Sequence, residues 1–216
     1  MKNIAIYGAG GFGREVACLI RRINEKEPLW NLIGFFDDNL ELKGKMISTF
    51  GPCFGGIDEL NSYSNPISIT IPIGNPSVIR SIVEKIHNKN VDFPNLIAPD
   101  ATIVDKDSFQ IGKGNIIQTD CFFSCNVSMG DFNIFNGWVA FGHDDIIGSY
   151  NTFMPATKIS GSVTIGDDNF FGVGSIVLQQ LKIGNKVRIG AGSVLMMKPK
   201  DGELYIGNPA VKFKFQ

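Results

Sequence analysis

The sequence predicts two architectures in series. A small parallel α/β half domain covers residues 1–92, an all-β parallel β-helix covers 93–200, and a C-terminal tail covers 201–216. Three observations predict this. A glycine-rich turn joins an apolar run to an amphipathic helix at the start of the chain. Large apolar residues recur at every sixth position from Ile111 to Leu195, fifteen times without an insertion. The residue after many of them is glycine.

Ile4, Ala5, Ile6 and Tyr7 form a short apolar run suited to a buried parallel strand. Gly8-Ala9-Gly10-Gly11-Phe12-Gly13 comes next, and Val16, Leu19, Ile20 and Ile23 continue at helical spacing. A second run, Leu32 to Phe36, ends at Asp37-Asp38. A third, Ile67 to Ile73, ends at Gly74-Asn75-Pro76, with a helix expected through Val78 to Ile86. Strands alternating with helices imply a parallel α/β sheet. The G-x-G-x-x-G pattern brings backbone amides close to a pyrophosphate at a helix N-terminus. Gly8, Gly10, Gly11, Phe12, Gly13, Gly74 and Asn75 are therefore candidate substrate contacts. Asp37, 24 residues beyond Gly13, and its neighbour Asp38 stand near the place of a ribose-binding carboxylate. The same glycines also suit a turn that only packs helix on strand. The length before the next pattern fits one mononucleotide half of a Rossmann-like fold.

From Ile111 the period is six: Ile111, Ile117, Phe123, Met129, Phe135, Phe141, Ile147, Phe153, Ile159, Ile165, Phe171, Val177, Ile183, Ile189 and Leu195. Neither a helix nor an ordinary sheet has that period; stacked hexapeptide coils do. Ile97 and Ile103 hold an earlier register, two residues out of phase, which a bulge or loop at Phe109-Gln110 explains. The residue before each inward position is expected to face out. Ile116, Phe122, Ile134, Ile146, Phe170, Ile176 and Val194 occupy such positions, and so many outward apolars imply a covered face. The cover is another subunit, or else the first domain or the tail.

Composition narrows the function. Lys and Arg number 20 against 21 acids, a net charge of −1, so no broad basic field is available for nucleic acid. The opening apolar run meets Arg14 and Glu15 too soon for a signal peptide or a membrane span, and a cytoplasmic protein without membrane insertion is expected. Cys18, Cys53, Cys121 and Cys125 form no C-x-x-C pair, which argues against a metal site and for free thiols.

One of the two histidines lies in FGHDDIIGSYNTF. His143 lies two residues past the inward Phe141. GAGGFGRE at the start, the IGNP turn at Gly74, FNGWVAFGHDDIIG, ISGSVTIG and the late IGNPA together resemble the bacterial sugar acetyltransferases that pair a nucleotide-sugar domain with a left-handed β-helix. Members acetylate nucleotide-linked amino sugars or the hydroxyls of sialic acid. The likeness runs end to end and implies left-handed coils of 18 residues, which set His143 near a corner above Cys125 and below Gly161; it also implies a homotrimer, acetyl-CoA as co-substrate, no metal, and a role in surface glycan synthesis. It also implies that His143 is the general base, with Asp144 and Asn136 supporting it. The Gly161 amide, one coil on, would polarise the thioester carbonyl. Thr152 stands where many members carry a second histidine near the acetyl group, and Phe12 where relatives often have histidine in the glycine-rich turn.

That chemistry needs a base near neutrality, an N–H for the oxyanion and two substrates held together. Asp144 either orients the imidazole or is a turn acid; Asp145 reads as a structural corner residue. Cys125 is a thiol one coil from the histidine, but the family transfers acetyl directly. His87 reads as solvated. Coenzyme A would run past Gly172, Gly174 and Ser175, then Gly190, Ala191 and Gly192, where small residues allow close approach. Lys198, Lys212 and Lys214 are candidates for its phosphates. The rival readings are a sugar O-acetyltransferase, a non-catalytic trimeric nucleotide-binding scaffold, and a nicotinamide enzyme supported only by G-x-G-x-x-G.

Overall fold

The computed structural model describes residues 1–213; Lys214 lies outside them. The chain divides into two compact units, Met1–Pro99 and Asp100–Gln216.

The first unit is the expected half domain. Strand β1 (Lys2–Tyr7) leads through the glycine turn into helix α1 (Gly11–Lys26). Next come strand β2 (Trp30–Phe36), the short helix α2 (Ile57–Asn61), strand β3 (Ile67–Thr70), helix α3 (Pro76–Lys85) and strand β4 (Val91–Asp92). The strands pair in parallel in the order β2-β1-β3-β4. Ile4, Ala5, Ile6, Phe35, Phe36 and Ile69 are buried to 2 % or less, so the sheet is covered on both faces. Val16, Ala17, Leu19, Ile20 and Ile23 form the apolar stripe of α1. Gly13 must be glycine, because a Cβ there would lie 1.9 Å from the Gly8 carbonyl oxygen.

The second unit is a β-solenoid of two-residue strands. Residue i pairs with i+18 on three faces, as in Ser128↔Ile146, Ile134↔Thr152 and Ala140↔Lys158. The inward residues stack. Phe135, Phe153 and Phe171 lie ring over ring at 5.1 and 4.6 Å, and Phe123 stacks on Phe141 at 5.6 Å. Such pairs each contribute about 0.5–1.5 kcal/mol beyond their buried area. Ile103 pairs with Phe123, a 20-residue step that absorbs the two-residue phase shift read from the sequence. Each corner turns through a residue of positive φ, at six-residue intervals from Asp120 to Ala156 and again at Ser162 and Asp168.

A second inward position accompanies each large apolar one, two residues earlier. Asn115, Cys121, Val127, Asn133, Val139, Asp145, Asn151, Thr157, Val163 and Asn169 are all 0 % exposed. The tail pairs back onto the solenoid as far as Phe213. Leu204–Ile206 pairs in parallel with Arg188–Ile189, and Val211–Phe213 returns antiparallel to it. Of the outward apolars, Phe122, Ile146 and Ile176 are exposed, whereas Ile116 and Ile134 are 1 % exposed and already covered within the chain. Among the described residues no helix is long and apolar enough to cross a membrane.

Candidate active site

His143 stands on the corner formed by Gly142, His143 and Asp144, with its side chain two-thirds exposed. Asp144 takes the left-handed turn at φ +60°. Its carboxylate accepts from Asn126 Nδ2 at 2.8 Å through Oδ1 and faces His143 Nδ1 at 2.7 Å through Oδ2. The Asn126 amide, and secondarily the imidazole, hold the Asp144 carboxyl below the usual carboxylate range. An ionised carboxylate only accepts, so Nδ1 carries the proton and Nε2 presents a lone pair. Asn126 lies 18 residues before Asp144 and could have been found from the coil register alone.

Gly161 fits the other face of the ring. A Cβ at this position would sit 2.7 Å from His143 Nε2. The missing side chain lets the imidazole lie against the next coil. A Cβ at Gly142 would sit 2.5 Å from the Gly161 nitrogen, so two glycines flank that amide. Among the described residues no acceptor is paired with the Gly161 N–H. A lone-pair nitrogen and an unpaired N–H are thus placed side by side.

Asn136 and Thr152 do not join this group. Asn136 Nδ2 donates to the Phe153 carbonyl at 3.0 Å and approaches Met154 Sδ at 3.8 Å. Thr152 is 0 % exposed in its strand, and its hydroxyl has no partner among the described residues. Asp145, read as an outward corner residue, is instead fully buried beside His143. Its Oδ1 accepts from the Val163 N–H at 2.8 Å, and its Oδ2 is buried without a donor among the described residues. Burial pushes its carboxyl up to about 7, against the Val163 and Gly142 amides and His143, which pull it down; Asp144 adds to the rise. Cys125 is exposed and meets this corner through its carbonyl, which accepts from the Asp144 N–H.

Further along the solenoid a cavity of about 350 Å³ is lined by Met154, Phe170, Gly172, Arg188, Gly190 and Ala191 among others. Arg188 lies 4.6 Å over the Phe170 ring. Gly172 is required by coil packing, since its Cβ would lie 2.5 Å from the Ala191 nitrogen. Gly174 and Gly192 have φ +64° with open space around them. Ser175 points inward, with its hydroxyl buried and without a partner among the described residues. Lys212 pairs with Glu203, and Lys198 is exposed.

In the first unit Gly8 has φ +119°, and nothing lies within 4 Å of a Cβ at Gly10 or Gly74. Gly10 caps α1 without a side chain, leaving the first-turn amides open around Gly11 and Phe12. Asp37 is already engaged locally: Oδ2 accepts from the Ala9 N–H at 2.8 Å and Oδ1 from the Asn39 N–H at 2.9 Å. It holds the turn in shape. Asp38 accepts from Tyr7 Oη at 2.5 Å and from the Ile57 N–H at 3.2 Å. Burial and then this bond raise the Tyr7 hydroxyl well above its ordinary range. Asn75 caps α3, its side chain accepting from the Ser77 N–H at 3.2 Å. His87 is exposed beside the Lys85 carbonyl at 3.2 Å. Among the described residues no three His, Cys, Asp or Glu are grouped to hold a metal.

A family model for the PglD N-terminal domain matches residues 3–86. The UDP-N-acetylbacillosamine N-acetyltransferase of Bacillus subtilis (strain 168) is 34 % identical over 119 residues, 54 % of this chain and 51 % of that one. The matched stretch therefore spans about half the length of that curated relative. PerB from Caulobacter crescentus, solved with CoA and GDP-perosamine, shares the fold (TM-score 0.82, 22 % identity, over 99 % of this chain and 98 % of that one). The acetyltransferase domain of PglB from Neisseria gonorrhoeae FA1090, solved with acetyl coenzyme A, is 30 % identical with a TM-score of 0.87. That likeness covers 98 % of this chain and 99 % of the other, and with it the chain belongs to the hexapeptide-repeat sugar N-acetyltransferases.

Proposed function

We propose that the protein transfers the acetyl group of acetyl-CoA to the amine of a nucleotide-linked amino sugar, with His143 as general base. The observation that carries this is the Asn126–Asp144–His143 chain, which ends with Nε2 exposed against Gly161. Nε2 accepts the proton of the attacking amine as its nitrogen bonds to the thioester carbon. The carbonyl oxygen gains charge and is met by the Gly161 N–H. The C–S bond then breaks, and the imidazolium returns the proton to the sulfur. Asp144 holds the reactive tautomer and stabilises the imidazolium.

Acetyl-CoA fits the second unit on its own terms. Gly174 and Gly192 leave open backbone along the coils, and Arg188 supplies a cation beside an apolar cavity. The first unit supplies the open amides of α1 for a diphosphate. The exposed Phe122, Ile146 and Ile176 support a homotrimer, and the relatives' substrates support a place in surface glycan synthesis.

The test is thiol release from acetyl-CoA across a panel of nucleotide-linked amino sugars, with free sialic acid included, run beside His143→Ala. Release with one amino sugar, lost in the variant, is expected. Release only with sialic acid moves the acceptor from nitrogen to oxygen. Undiminished turnover by His143→Ala would refute the base.

A further inference from the structure

Asp145 occupies the second inward position, where the neighbouring coils carry Val127 and Val163. Another corner of the solenoid carries a ladder of asparagines at that position, and the ladder shows what a side chain can do there. Asn151 Oδ1 accepts from the Asn169 N–H at 2.9 Å, 18 residues on. Asn151 Nδ2 donates to the Gly166 carbonyl at 2.9 Å, 15 residues on. Asn133 and Asn169 repeat the second bond to Gly148 and Gly184.

Asp145 already makes the first of these bonds, to the Val163 N–H. By register its other oxygen faces the Ser160 carbonyl, 15 residues on. Two acceptors face each other there. Among the described residues Asp145 Oδ2 has no donor, and no backbone N–H donates to the Ser160 oxygen. A charged carboxylate with a bare buried oxygen is costly, whereas a proton on Oδ2 supplies the missing donor to both.

Resting on the acetyltransferase reading above, we propose that Asp145 is a positioning residue that carries a proton and donates it to the Ser160 carbonyl. The Ser160 carbonyl and the Gly161 N–H belong to one peptide group. A hydrogen bond accepted at the oxygen polarises that group and strengthens donation from its nitrogen. Asp145 thereby tunes, from inside the prism, the amide that meets the thioester oxygen outside it. The charged groups acting on Asp145 are His143 and Asp144; Val127 and Val163, above and below it, carry none. Its rise to about 7 is the direction this arrangement requires.

Asp145→Asn and Asp145→Val separate the role from packing. Asparagine keeps both bonds at every pH, and valine fits a column that already holds Val127 and Val163. Expected is an alkaline fall in wild-type kcat, and an Asn variant within about twofold of wild type at neutral pH that lacks this fall. The Val variant loses about tenfold in kcat, the value of roughly one weakened hydrogen bond, with KM for acetyl-CoA unchanged. Infrared difference spectra of wild type against Asp145→Asn read the proton without turnover. A protonated carboxyl band present at pH 6 and lost by pH 8.5 is expected. No such band at pH 6, or three identical pH profiles, overturns the proposal while leaving the transferase reading intact. If wild type turns over no acceptor, the transferase reading fails, and this role for Asp145 fails with it, even if the band shows a proton.

Discussion

Two corners of the same prism differ in the residue that stands one coil beyond each turn. At the corner of Lys113, Asp131, Ser149 and Asp167, each backbone N–H donates to a side chain on the next coil. Asp131 Oδ1, Ser149 Oγ, Asp167 Oδ1 and Asn185 Oδ1 accept at 2.8, 3.0, 2.8 and 2.7 Å. Behind them the buried asparagines close a second ladder. At the corner of Cys125, His143 and Gly161 the residue one coil beyond His143 is glycine, so the ladder stops. The imidazole lies where that side chain would be, and neither the His143 N–H nor the Gly161 N–H has a partner among the described residues. One corner uses its polar groups to hold coils together; the other leaves them for a substrate.

That contrast can be broken in order of effect. His143→Ala should lower kcat by about 10²–10⁴-fold, with thermal unfolding unchanged, because the ring is solvated and supports no ladder. Asn151→Ala should do the reverse. It strands the Asn169 N–H and side chain and should cost about 2–3 kcal/mol in denaturant unfolding, with kcat per folded molecule unaltered. Gly161→Ala puts a methyl 2.7 Å from Nε2 and should cost about tenfold or more in kcat, with a smaller loss of stability. Asp145 comes last and is read in stability against pH. Its native carboxyl sits at about 7 against an ordinary 3.8, so across that window the folded state binds more protons than the unfolded. Wild-type stability should fall as pH rises from about 4 to about 7. Asp145→Asn should lack that slope and gain on wild type by roughly ten degrees in Tm at the upper end, read by calorimetry at both ends.

The register of the solenoid was legible because the inward position admits only large apolar residues, which makes Ile111 through Leu195 a visible period. His143, Asp144 and Gly161 were singled out by likeness to relatives, and counting by 18 places them together. Asp145 was not. The second inward position accepts asparagine, valine, cysteine, threonine, serine or aspartate, so it leaves no hydropathy signal, and a charged residue there looks like a surface turn. Asn136 and Thr152 came from likeness to relatives, and within one chain their polar atoms are engaged or buried elsewhere. Ile116 and Ile134 looked like interface residues because alternation along a strand shows which face a residue takes, and does not show whether the chain itself covers it.

The repeat has a consequence for how such a protein changes over generations. From Gln110 to Leu195 the paired strands of the solenoid link each residue to one 18 positions away. Loss or gain of one codon would rotate all later side chains by a sixth of a hexad, taking the inward phenylalanines out of the prism. Loss or gain of a whole coil leaves each remaining pair matched. The permitted unit of length variation in this half of the gene is therefore fifty-four nucleotides, and descendants should differ in length by that step or by loops at the corners.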